Sequence, residues 1–133
     1  MGPGFLIDTN VFIDFLNGRL PTLSSQWLIE QVDNGYGYLS VINRIELLVR
    51  PGNLTEGAAM RQIISSCTEL PLDERTIQQT IRLRQQHRVK LPDAIIAATA
   101  LAHGIPLLTR NVSDFQALAG LVVLNLHEAA PLP

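Results

Sequence analysis

Phe5-Leu6-Ile7-Asp8-Thr9-Asn10-Val11-Phe12 is the stretch that decides the fold. An apolar run ends in a carboxylate, a polar pair follows, and Val11, Phe12, Phe15 and Leu16 then recur at helical spacing up to Asn17-Gly18. That order reads as a buried strand, a polar turn and a helix. The same order returns along the chain. Residues 21–31 carry Leu23, Trp27 and Leu28 and stop at Asn34-Gly35. Residues 37–40 form a second strand, and Ser40 is placed to cap a helix over 41–49 that Pro51-Gly52 closes. Thr55 is expected to cap a helix to about residue 66, and residues 68–72 a third strand. Asp73 caps a helix to about residue 87, and Pro92 sits in the first turn of another that ends at His103-Gly104. Residues 107–109 read as a fourth strand and 122–124 as a weaker fifth, with the tail from Ala129 expected to fray. Strands alternating with helices predict an α/β domain: a parallel sheet covered on both faces, with three of its crossovers carrying two helical segments each.

The bulk composition narrows the function. A chain of 133 residues with 47% hydrophobic and 17% charged residues suits one folded domain, not a disordered segment. The domain is expected over 1–133, with its core over about 5–125. No apolar run approaches the ~20 residues needed to cross a bilayer, and the first residues show neither a basic nor an apolar targeting region, so a cytoplasmic protein is expected. Cys67 is the lone cysteine, which leaves no internal disulfide and no cysteine-based zinc cluster. The net charge of −2 does not advertise a nucleic-acid binder, yet Lys90 is the only lysine among ten cations. The rest are arginine, suited to bidentate phosphate or carboxylate contacts.

Ligands of open parallel sheets bind outside the carboxyl ends of the strands, and four acids are expected at that edge. Asp8 ends the first strand. Glu46 lies in the second turn of the helix leaving the second strand, and helical side chains lean toward the helix N-terminus. Asp93 opens a helix that must run antiparallel to the fourth strand, and Asp114 follows that strand by a few residues. Neighbouring carboxylates repel, and a divalent cation resolves the conflict. Oxygen-only ligation suits Mg²⁺ or Mn²⁺ more than Zn²⁺ or Cu²⁺, and such ions clamp a phosphodiester and lower the pKa of an attacking water. Phosphodiester hydrolysis is the chemistry implied.

Leu6-Ile7-Asp8-Thr9-Asn10-Val11, Glu46-Leu47-Leu48, Leu91-Pro92-Asp93-Ala94-Ile95-Ile96-Ala97-Ala98-Thr99-Ala100, and Leu108-Thr109-Arg110-Asn111 with Asp114-Phe115 resemble, in order and spacing, the signature blocks of the PIN-domain family in its VapC toxin-ribonuclease type. The resemblance implies a Rossmann-like, five-stranded parallel sheet flanked by helices. It also implies Mg²⁺- or Mn²⁺-dependent RNA cleavage, a homodimer, and an inhibiting antitoxin through which DNA is met only indirectly. Asp8, Glu46 and Asp93 match the family's three central metal-binding acids, and Asp114 a fourth whose role varies more. Thr9 and Asn10 resemble positions that orient the first acid, and Thr109 and Asn111 polar groups supporting the ligands from behind. Residues 41–45 depart from the family's usual small, polar opening of the glutamate-bearing helix.

Each acid also has a structural reading: Asp8 as a helix cap, Glu46 paired with Arg50, Asp93 favouring its helix dipole, Asp114 opening a turn. Asp14 is expected on a solvated face. His87, His103 and His127 share no ligand spacing and are expected at the surface or at helix ends. Arg82, Arg84, Arg88 and Lys90 either guide an RNA backbone or form a solvated face. Trp27, Tyr36 and Tyr38 are expected to pack, not to stack bases. Phe12, Phe15, Leu16, Leu23, Trp27 and Leu28 exceed what two short helices need inside, and the resemblance implies that some line a groove for an antitoxin segment. Two other functions compete with the ribonuclease: an inactive module of the same fold acting through a DNA-bound partner, which the intact acid set disfavours, and a phosphoacceptor domain, for which Lys90 is misplaced.

Overall fold

The computed structural model describes residues 4–50, 52–128 and 132–133. The chain runs β1 (Phe5–Ile7), α1 (Thr9–Leu16), α2 (Thr22–Asp33), β2 (Gly37–Ser40), α3 (Val41–Leu48), α4 (Leu54–Ser65), β3 (Thr68–Leu70), α5 (Glu74–Gln86), α6 (Leu91–His103), β4 (Leu107–Leu108), α7 (Val112–Phe115) and β5 (Val123–Leu124). The sheet is parallel, in the order β3-β2-β1-β4-β5, with Leu6 paired to Tyr38 on one side and Leu107 on the other. The first three crossovers each carry two helices, as the sequence predicts. Because the chain turns back across β1 to reach β4, the switch point of the sheet lies beside the carboxyl end of β1.

Period-2 alternation divides the core between the two faces. Leu6 and Leu107 face Leu83 of α5 and Ile96, Ala97 and Ala100 of α6. Ile7, Leu39 and Leu108 face Val11, Phe12, Trp27, Leu28 and Leu47. Trp27 packs edge-on against Phe5 at 4.8 Å between ring centroids, so it belongs to the core as expected. Its indole N–H donates to a main-chain oxygen of Pro133 at 3.0 Å.

Most helix ends follow the expected chemistry. Ser40 and Asn43 form a reciprocal capping box on α3, and the Asp73 carboxylate accepts the Thr76 N–H at 3.0 Å. Gly104 closes α6 at φ 63°, a left-handed conformation that glycine adopts without a Cβ clash. One cap is corrected: α4 is capped by Asn53, not Thr55. The Asn53 side chain accepts the Glu56 N–H at 2.8 Å while Glu56 reaches back to the Asn53 N–H at 3.3 Å, a second capping box that Thr55 has no partner to match. The sequence predicts no helix where the four-residue α7 forms, since one turn has no period to detect. Pro51, expected to close α3, and residues 129–131 of the tail lie outside the described residues. Among the described residues no helix is long and apolar enough to cross a membrane.

Candidate metal centre

Asp8 leaves β1 in extended backbone and caps α1 by accepting the Thr9 N–H on Oδ1 at 2.8 Å. The capping reading therefore holds, and the carboxylate does more than cap. Only 6% of Asp8 is exposed. Asn43 Nδ2 also donates to Oδ1, at 3.2 Å, while Thr109 Oγ1 and Asn10 Nδ2 donate to Oδ2 at 2.8 and 3.3 Å. A buried carboxylate is thus held by four neutral donors. The Thr9 hydroxyl donates to Glu46 Oε1 at 2.7 Å and accepts from Asn43 Nδ2 at 3.1 Å, which ties the β1 and β2 ends of the sheet together. Glu46 and Asp93 are half-buried, and Asp114 in α7 is exposed. The Asn111 side chain is exposed; its backbone N–H donates to Thr109 Oγ1 at 3.1 Å.

The electrostatics show which acids sense one another. Burial pushes the Asp8 carboxyl above the ordinary carboxylate range; the Thr109 and Thr9 hydrogen bonds pull it back, and the charges of Glu46 and Asp93 push it further. Asp93 is raised by burial first, then by Asp114 and Glu46, against the pull of Lys90. Among the described residues no ion pair involves Asp8, Glu46, Asp93 or Asp114, so the pairing of Glu46 with Arg50 does not form. No three acidic, histidine or cysteine side chains among the described residues stand ready-made around one ion position. Neutral donors occupy the Asp8 oxygens instead. The donor set fits a hard divalent cation on chemical grounds: oxygen ligands only, anionic, mutually repelling and, among the described residues, in no ion pair.

Two features escape a sequence reading. Asn43, fully buried, holds Asp8 and Thr9 together. Its signal was available, since it stands three residues before Glu46 on the same helical face and three after the Ser40 cap. The second corrects an expectation: Asp14 is not on a solvated face but only 1% exposed. Arg110 Nη1 lies 2.9 Å from both Asp14 oxygens, and His127 Nε2 lies 3.0 Å from Oδ2. These partners are distant in sequence, and no local pattern announces them. Arg110 also donates its backbone N–H to Asn10 Oδ1 at 3.0 Å, so this half-exposed pair adjoins the Asp8 network.

Known proteins share the fold and the family of this chain. Residues 5–121 match the PIN domain family. Ribonuclease VapC1 of Rickettsia felis is 33% identical over 135 residues, covering 92% of this chain and 96% of that protein. A solved toxin-antitoxin complex from Klebsiella pneumoniae contains a chain that superposes with a TM-score of 0.75 at 28% identity, covering 95% of this chain and 100% of that one. VapBC2 from Rickettsia felis, bound to a DNA fragment from its promoter, shares the fold with a TM-score of 0.79 at 18% identity, covering 91% and 97%. From β1 through the helix that carries Asp114, this chain belongs to the PIN-domain family, in its VapC ribonuclease type.

Proposed function

We propose that the protein is a divalent-metal-dependent endoribonuclease and the toxin of a toxin–antitoxin pair. The observation that carries this reading is the Asp8 carboxylate: buried at the switch point, repelled by Glu46 and Asp93, and given dipoles but, among the described residues, no ion-pair partner. Asp8, Glu46 and Asp93 would hold Mg²⁺ or Mn²⁺, with Asp114 at the outer rim. When bound, the ion supplies positive charge to a phosphodiester oxygen and acidifies an attacking water. Thr109, Asn43 and Asn10 orient the Asp8 carboxylate, and the Thr9 hydroxyl orients Glu46. The exposed side of Asp93 and Asp114 is where RNA would approach. Neither His103, whose Nδ1 is set on the Thr99 carbonyl, nor His127, set on Asp14, contacts an acid of this centre.

The same reading assigns an antitoxin partner to the groove of about 270 Å³ between α1, α2 and α4, lined by Phe15, Leu16, Leu28, Ile29, Val32 and Ile63. Phe12 and Trp27 belong to the core, while Leu23 is 72% exposed beyond it. A homodimer, a cytoplasmic location and a single domain over 1–133 are part of this proposal. The test is cleavage of RNA by purified protein with and without Mn²⁺. Cleavage should need the ion and fall by at least roughly a hundredfold in Asp8→Asn. Unchanged cleavage by that variant at saturating Mn²⁺ would overturn the assignment.

A further inference from the structure

The chain's cations are unevenly spread. Residues 75–92 hold half of its ten cations and none of its twelve acids. Arg75, at the start of α5, is engaged with the Ala102 carbonyl near the end of α6. The other four, Arg82, Arg84, Arg88 and Lys90, crowd the opposite end of the α5–α6 pair, where a four-residue turn over 87–90 joins the helices. All four are exposed, and among the described residues none is in an ion pair. The turn is fastened: Arg84 Nε donates to the Val89 carbonyl at 3.2 Å. Lys90 is the N-cap residue of α6, three positions before Asp93, so the strip ends at the rim of the carboxylates.

This placement answers a physical difficulty of the proposed reaction. An RNA backbone nearing a group of carboxylates is repelled until it reaches the ion. Fixed cations beside the group offset that repulsion and hold the flanking phosphates. We propose that Arg82, Arg84, Arg88 and Lys90 form the track that grips the RNA backbone on the α5–α6 side of the acidic edge, through phosphates and without reading bases. The assignment rests on the ribonuclease reading. A competing account makes the arginines partners of the α5 dipole, and it predicts altered melting without altered RNA binding.

The experiment uses the cleavage-deficient Asp8→Asn chain and a labelled single-stranded oligoribonucleotide, with Kd measured across salt concentrations. Adding Arg82→Gln and Arg88→Gln should make the slope of log Kd against log salt shallower by about 1.4, roughly 0.7 for each lost phosphate contact. Arg84 is kept because it fastens the turn. The lysine pair, Arg82→Lys with Arg88→Lys, should restore the slope, whereas Arg61→Gln on α4 should leave it as it was. An unchanged slope in the glutamine pair overturns the track and leaves the ribonuclease reading standing. Absence of RNA binding by every one of these chains overturns both.

Discussion

Asp8 and Asp14 lie on the same turn-and-helix segment, both buried, and the fold treats them oppositely. Asp14 receives the Arg110 guanidinium and the His127 ring at 2.9–3.0 Å, so its charge is answered within the protein. Asp8 receives a backbone amide, two side-chain amides and a hydroxyl, and the charges of Glu46 and Asp93 repel it. A buried charge in a structural role is paired; one left to dipoles beside like charges is what the proposed metal site requires. The contrast locates the candidate site more sharply than the clustering of acids does, because Asp14 is also a buried acid close to the same network.

The largest effect that would break this contrast is at Asp8. Asp8→Asn should cost at least roughly a hundredfold in RNA cleavage, about 2.7 kcal/mol of transition-state stabilisation. Next is Asp14→Ala, which strands Arg110 and His127 and should lower stability by about 2 kcal/mol, read as a shift in the urea midpoint at unchanged slope. Arg110 is about half exposed, which keeps this below the cost of breaking a fully buried pair. Third, Asp114→Asn should lower cleavage about tenfold or less, since Asp114 is exposed and acts on Asp93 without reaching Asp8. A loss matching that of Asp8→Asn would reverse the ranking of the acids. The smallest effect separates capping from gathering charge by pH. Asp73 is lowered in the fold, mainly by the Thr76 N–H, so its stabilisation is present above the unfolded carboxylate pKa and is lost as pH falls through the folded value. Asp8 and Asp93 are raised, so the metal-free fold loses stability as pH climbs from the ordinary carboxylate range through their folded values. Asp73→Ala should therefore lower the melting temperature slightly at neutral pH and much less at strongly acidic pH.

Local signals account for what the sequence revealed. Apolar runs at residues 5–7 and 107–108, the caps at Ser40 and Asp73, and Gly104 each act within a few residues of where they are read. The acid positions followed from the rule that parallel sheets bind ligands at their carboxyl edge, together with the direction of α6. What failed was of two kinds. Asn53 and Thr55 are both competent caps, and the choice between them turned on whether a residue three positions on can reach back; only Glu56 does. Asp14 reads as a polar position on a helix face until Arg110 and His127 are brought to it by the β4 and β5 connections. Asn43 falls between these kinds: its cap was legible, but its grip on Asp8 required β1 and β2 to be neighbours.

The central claim is that the fold gathers uncompensated carboxylate charge around Asp8 for a cation to neutralise. Thermal melting of the wild-type and Asp8→Asn chains, in metal-free buffer and in millimolar Mn²⁺, tests it directly. The wild-type chain should gain about 2.7 kcal/mol of stability at a hundredfold excess over Kd. Asp8→Asn, which removes one of the repelling buried charges, should gain little from the metal. A wild-type melting temperature indifferent to millimolar Mn²⁺, or an equal gain in the two chains, would contradict the account.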